Sequence, residues 1–189
     1  MTEKNKNMKL ALDTPKPHDK DAEQIIIGMI ARNLRNIMIP QKHHPCATLI
    51  SKGLSKDDFY NPTLASIFEA IKEMFQKGEP FGWRDIVKKC TRGEKCVCKK
   101  TLDECILSAF REMKKHEDER PKMMRDANII LDAYFRVRKY AKLRMMLGVF
   151  SEAIQRCYSS DIESSDVIAF VNTELMKIEQ GNKDNGTES

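Results

Sequence analysis

The sequence predicts an all-α protein, a compact multi-helix bundle followed by a long antiparallel helical hairpin. Three observations carry that expectation. Charged residues make up 32% of the chain and aromatics only 7%, a balance that suits helices with solvated faces better than a β-sandwich. The 189 residues include 8 Gly and 7 Pro, too few for an all-β chain with a tight turn between every pair of strands. Apolar residues recur at three- and four-residue spacing in several windows, the signature of helix faces.

Residues 1–20 are polar, with Pro15 and Pro17 close together, and 1–16 are expected to form a flexible arm. A compact helical subdomain is expected over 17–122, a hairpin over 123–180, and a polar tail or linker start over 181–189. Asp19 or Asp21 can cap a first helix from Ala22, whose apolar face is Ile25, Ile26, Met29, Ile30 and Leu34. Pro40 and Pro45 interrupt the chain around His43 and His44, and the short apolar piece Ala47 to Ile50 runs to a stop at Gly53. Ser55 to Asp58 caps or starts the next turn. Asn61 and Pro62 then open a clear helix with a stripe of Leu64, Ile67, Phe68, Ile71 and Phe75, ended by Gly78. Trp83 to Lys89 reads as a short helix with Trp83 as a core anchor, and Cys90 to Lys100 reads as a loop. Leu102 to Met113 reads as a helix facing inward with Leu102, Cys105, Ile106, Ala109 and Phe110, and His116 to Pro121 as a charged connector.

The longest pattern runs from Met123 to about Tyr158 without a proline, with Ala127, Leu131, Tyr134, Val137, Ala141, Met145 and Ile154 near one stripe. A helix of roughly 35 residues is about 50 Å long, more than a domain of this size needs for its own core. Ser160 and Glu163 match a capping box before a last helix with Val167, Phe170, Val171, Leu175 and Ile178 on its apolar side. One chain cannot cover both apolar faces of such a hairpin, and self-association is the economical way to bury them.

Several chemistries are excluded. None of the glycines is followed by Lys, so the chain has no G-x-x-x-x-G-K-[ST] phosphate loop; it also lacks G-x-G-x-x-G, H-E-x-x-H and G-x-S-x-G. No catalytic residue, cofactor or metal is expected. The longest apolar run, Ile25 to Ala31, is far too short to span a membrane, and the polar start has no signal-peptide core. A cytoplasmic chain with reduced thiols is the expectation. The 33 Lys and Arg against 28 Asp and Glu leave a net charge of +5, which permits nucleic-acid contact without implying it.

Three constellations have chemistry-bearing side chains and also simpler explanations. Cys90, Cys96, Cys98 and Cys105 stand near Arg92 and Lys95, but their spacing is not the paired C-x2-C of common zinc sites, and core or incidental thiols are expected. His43, His44 and Cys46 are expected to decorate an exposed loop. Arg136, Arg138, Lys139, Lys142 and Arg144 could touch phosphates or an acidic partner, with Arg136, Arg138 and Lys142 the candidates, against the simpler reading of a solvated helix face.

The stretch Pro17-His18-Asp19-Lys20-Asp21-Ala22-Glu23 through Gly28 resembles the opening of the DnaB-type replicative helicases. Phe59 and Tyr60, then Ile67 and Phe68, then Gly78 and Pro80 resemble further family motifs in the same order. Ala22, Glu23, Gly28, Phe59, Tyr60, Ile67, Phe68 and Gly78 are thus the family-motif core. The long helix and the last helix are similar to the family's hairpin, so the resemblance covers about residues 15–180 of a divergent member. Gly82 stands where the family has a capping Asp, so Asp85 is expected to shift the helix start.

The resemblance implies an all-helical, non-catalytic N-terminal domain whose hairpins pair into dimers, three of which form a collar on a hexameric motor. The collar docks primase or a helicase loader and influences loading on DNA. For this chain it implies a homo-oligomer (a dimer or a trimer of dimers), DNA contact only indirect or weak, and no membrane. The oligomer interface is expected at Leu131, Tyr134, Val137, Met145, Val149, Val167, Phe170 and Leu175. One alternative is a standalone phage or mobile-element regulator, loader or inhibitor, that binds a host helicase collar. Another is a small helical DNA-binding protein using the Arg136 to Arg144 face.

Overall fold

A computed structural model describes residues 15–34, 44–78, 81–90, 95–116, 122–159 and 161–180, apart from the side chains of 95–98, 122 and 123. Most of the expected arm, His43, the thiols of Cys96 and Cys98, most of the charged connector, Ser160 and the tail lie outside the described residues. Within them are seven α-helices and no strand: α1 (Lys20–Asn33), α2 (Pro45–Ser51), α3 (Pro62–Lys77), α4 (Trp83–Cys90), α5 (Lys95–Lys115), α6 (Lys122–Cys157) and α7 (Ser164–Gln180). A single 3-10 turn, Lys56–Asp58, precedes α3.

The helix starts follow capping chemistry. Asp19 accepts from the amide of Ala22 at 2.9 Å and caps α1. The His44 Nδ1 accepts from the amide of Cys46 and caps α2, with Pro45 in the first turn where its missing N–H costs nothing. Asn61 caps α3 through the amides of Thr63 and Leu64, and Gly78 closes it in the left-handed region at φ 70°. At α4 the expected shift of the start does not occur: the helix begins at Trp83, the Gly82 carbonyl accepts the amides of Asp85 and Ile86, and Asp85 in the first turn accepts from the Gly82 amide at 3.0 Å.

α1 is not the one-faced helix that its spacing suggests. Ile25, Ile26, Ile27, Met29 and Ile30 are all buried, because α5, α6, α3 and α2 surround it. Its closest neighbour is α5. A Cβ at Gly28 would sit 2.0 Å from the Cys105 carbonyl oxygen and 2.9 Å from the Ala109 Cβ, so glycine sets the spacing of the two backbones. Around this pair close Leu49, Leu54, Phe59, Leu64, Ile67, Phe68, Ile71, Ile86 and Leu102, with Trp83 half-buried at the edge.

Four expectations need correction. α5 begins at Lys95, inside the stretch read as a loop, since no Gly or Pro follows Gly93 to stop it. Phe110 lies 45% exposed beneath the Arg32 guanidinium rather than in the core. On α6 the buried stripe is Ile129, Ile130, Ala133, Tyr134, Val137 and Ala141, so Ala127 is exposed and Leu131 only half-buried. α7 starts after Glu163, whose carbonyl accepts the amides of Asp166 and Val167, rather than from a cap at Ser160.

Candidate functional site

The α6–α7 hairpin is joined to the body by side chains whose roles lie in the chain itself. Tyr134 is buried and donates its hydroxyl to the Lys52 carbonyl at 2.7 Å, and Val137 is buried beside it. Burial pushes the Tyr134 phenol above its ordinary range. Both residues were expected on the face shared with a second copy, and both are already covered by their own chain.

The basic residues of α6 are similarly engaged. Arg138 pairs with Asp58 at 2.8 Å, and Asp58 also accepts from the amide and hydroxyl of Ser55. Arg136 pairs with Asp19 at 2.8 Å and with Asp132 at 3.4 Å. Burial works against its charge, but the two carboxylates outweigh that and hold its pKa above the ordinary value. Arg144 donates to the carbonyls of Pro17 and Asp58 and lies 5.8 Å from the Tyr60 ring, which stacks on His18 at 4.2 Å. Two of the three candidate phosphate contacts, Arg136 and Arg138, therefore clamp the body to the hairpin; Lys142 is half-buried on the same helix.

A second anchor was not legible as such. Glu23, 2% exposed, accepts from the amides of Tyr60 at 2.8 Å and Asn61 at 3.1 Å. Its carboxylate thus ties the first turn of α1 to the start of α3, 37 residues away.

Beyond the clamp the hairpin leaves the body. Arg156 lies 3.7 Å over the Phe170 ring and pins the two helices near the turn. Val149, Val167, Phe170, Val171, Leu175 and Ile178 are half-buried there, and no residue of α7 is buried. Leu143, Leu147, Phe150 and Ile154 are all exposed, spaced four, three and four residues apart, which places them in one line along α6. Met145 is also exposed, on another side of the helix, and Ile168 and Met176 are exposed on α7.

The thiols support no metal centre among the described residues, where no group of His, Cys, Asp and Glu could hold an ion. Cys46 and Cys105 are buried in the core, and burial pushes both thiols up to about 12. Cys90 donates to the Ser66 carbonyl. No described helix is long and apolar enough to cross a membrane.

Residues 15–101 match the family described as DnaB-like helicase N terminal domain. The fold is similar to that of the N-terminal domain of DnaB helicase from Mycobacterium tuberculosis in its crystal structure, with a TM-score of 0.61 at 18% identity over 86% of this chain and 99% of that one. Residues 15–101 carry a DnaB-type helicase N-terminal domain. No curated protein matches it by sequence.

The matched DnaB-type region is the non-catalytic N-terminal domain and not the motor. Each family-motif residue in it has a physical task. Ala22 is buried in the first turn of α1, Glu23 receives the α3 start, and Gly28 lets α5 approach. Phe59 packs on Phe68 with ring centroids 5.2 Å apart, Ile67 is buried next to it, and Gly78 ends α3. Tyr60, 40% exposed, belongs to the clamp. The sequence match stops within α5, whereas the structural likeness covers 86% of the chain and so extends into the hairpin.

Proposed function

We propose that this DnaB-type domain acts in DNA replication as an oligomerising collar element, and that its hairpin is the surface through which copies of the chain assemble. The single observation behind this reading is the line Leu143, Leu147, Phe150 and Ile154, exposed on the part of α6 that has left the body. Burying a side chain of this size contributes about 1.5–3 kcal/mol when complete, so four half-exposed ones supply several kcal/mol to association. Their four-three-four spacing is that of a helix seam, which suits a second copy of the same helix.

Of the interface residues read from the sequence, Val149, Val167, Phe170 and Leu175 stay in the proposal as the flank of that seam, and Met145 as a separate exposed contact on another side of α6. Leu131 is half-buried at the body and contributes at its edge. Tyr134 and Val137 leave it. The assembled form is a dimer or a trimer of dimers in the cytoplasm, and it presents a combined surface to primase or a helicase loader. Arg136, Arg138 and Arg144 take no part in contacting DNA, because their partners are carboxylates and carbonyls of the chain.

Light scattering across a concentration series tests this reading. The wild-type chain should reach at least dimer mass as concentration rises, and Leu147→Asp/Phe150→Asp should remain a monomer with unchanged helical circular dichroism. A double variant that keeps the wild-type mass excludes this line as the interface.

A further inference from the structure

Two cations of α6 take no part in the clamp. Between Asp132 and Glu152 the helix carries five Lys and Arg and no Asp or Glu. Arg136, Arg138 and Arg144 are held by carboxylates and carbonyls of the body. Lys139 and Lys142 have no ion pair among the described residues, and Lys139 meets only the Tyr140 ring at 5.9 Å. With Arg138 they line a shallow groove whose apolar walls are Phe135, Leu143 and Met146. Phe135 is 62% exposed there.

The groove lies on a definite side of the helix. Phe135, Lys142 and Val149 are seven residues apart and so share one side. Farther from the body that side is covered by α7, where Val149 is half-buried and Ala153 is buried. The groove therefore continues the α7 track toward the body, and it borders the line of Leu143, Leu147, Phe150 and Ile154.

What fills it follows from the two ways in which that line can meet its own copy. In a parallel pair each residue faces itself, so Lys139 and Lys142 face the same two lysines. In an antiparallel pair Leu143 faces Ile154 and Leu147 faces Phe150. That register sets Cys157, the last residue of α6, level with Tyr140 of the second copy, and so brings the turn of one hairpin beside the groove of the other. Past the turn stand Asp161, Glu163 and Asp166 with no Lys or Arg among them, and Ile162 is 37% exposed. Glu163 and Asp166 are exposed as well. The apolar seam is the same in both directions, so charge selects between them, and only the antiparallel one sets opposite signs together.

We propose that two copies pair antiparallel and that the groove on each α6 receives the acidic turn of the other, with Lys139 and Lys142 against Glu163 and Asp166 and Phe135 beside Ile162. This rests on the seam proposed above and adds its direction and a second contact, made twice by the two-fold symmetry. Exposed ion pairs are weak singly and are screened by salt, so the dimer should loosen as NaCl is raised.

Two readouts test the contact. After carbodiimide cross-linking of an equal mixture of isotope-labelled and unlabelled wild-type chains, peptides that join Lys139 or Lys142 to Glu163 or Asp166 should combine one labelled and one unlabelled partner. In light scattering at about 50 mM NaCl, Lys139→Glu/Lys142→Glu should raise the dimer dissociation constant at least about tenfold, with unchanged helical circular dichroism. Adding Glu163→Lys/Asp166→Lys to the same chain should recover most of that loss. In a parallel pair the first reversal only replaces one like-charge facing by another and changes little. A wild-type chain that stays monomeric at every concentration overturns the seam and this contact together. A chain that dimerises without the mixed cross-links, or whose Lys139→Glu/Lys142→Glu variant dimerises as wild type, overturns the contact and leaves the seam standing.

Discussion

α1 and α7 are helices of similar length with opposite fates. Ten of the 14 residues of α1 are buried, and none of the 17 of α7. α1 is enclosed by four other helices, one of them at glycine distance, whereas among the described residues α7 packs mainly on the outer half of α6. Both are apolar enough to need covering, so the difference lies in what the rest of the chain places around them. On the proposed reading, the apolar residues that stay exposed after the chain has folded are the surface where folding passes to assembly.

The comparison breaks most sharply at Gly28. Gly28→Ala forces a Cβ against the Cys105 carbonyl and should cost about 3 kcal/mol, seen as a lower urea midpoint, while the α6–α7 pairing is untouched. Next is the clamp between the two regions. Arg138→Met leaves Asp58 buried without its cation and should cost about 3 kcal/mol. Glu23→Ala removes the acceptor of two amides and should cost about 2 kcal/mol. On the hairpin, Ile168→Ser and Met176→Ser should change monomer stability by less than about 0.5 kcal/mol. A loss there as large as at Gly28 would mean that α7 is covered within the chain.

Acid should also find the body first. Burial lowers the His44 pKa from 6.5, opposed in part by the Asn33 backbone, so the folded chain takes up this proton less readily than the unfolded chain. The contribution of His44 is therefore complete above about pH 6.5 and is lost as pH falls through the lowered folded value, when Nδ1 can no longer accept from Cys46. Urea midpoints at about pH 7.5 and 5.5 should differ less in His44→Gln than in wild type. The smallest expected effect is chemical. Iodoacetamide on the native chain should label the exposed Cys157 and spare Cys46 and Cys105, whose thiols are buried and pushed up to about 12. Peptide mass mapping reads the difference.

Much of the body was legible because its signals are local. Asp19, Asn61-Pro62 and Gly78 announce helix ends by backbone chemistry that does not depend on the rest of the chain. α6 was harder for a physical reason. Its first half turns Ile130, Tyr134, Val137 and Ala141 to the body, while its second half meets α7 and leaves Leu143, Leu147, Phe150 and Ile154 outside. One helix serving two partners on different sides carries two stripes, and reading them as one displaced Ala127 and Met145 onto a face they do not share. The arginines of α6 show a different limit. Periodicity can place Arg136 and Arg138 on a helix surface, but their pairing with Asp19 and Asp58 spans 117 and 80 residues and depends on the tertiary fold.

Hydrogen exchange followed by mass spectrometry at low and high protein concentration tests the central claim most directly. Amides of α1 should be strongly protected at both concentrations, while those of α7 and of α6 beyond Leu143 should exchange rapidly when dilute and become protected as the chain associates. Protection of α7 that is high and independent of concentration would contradict the account, since it would show that the hairpin needs no second copy to cover it.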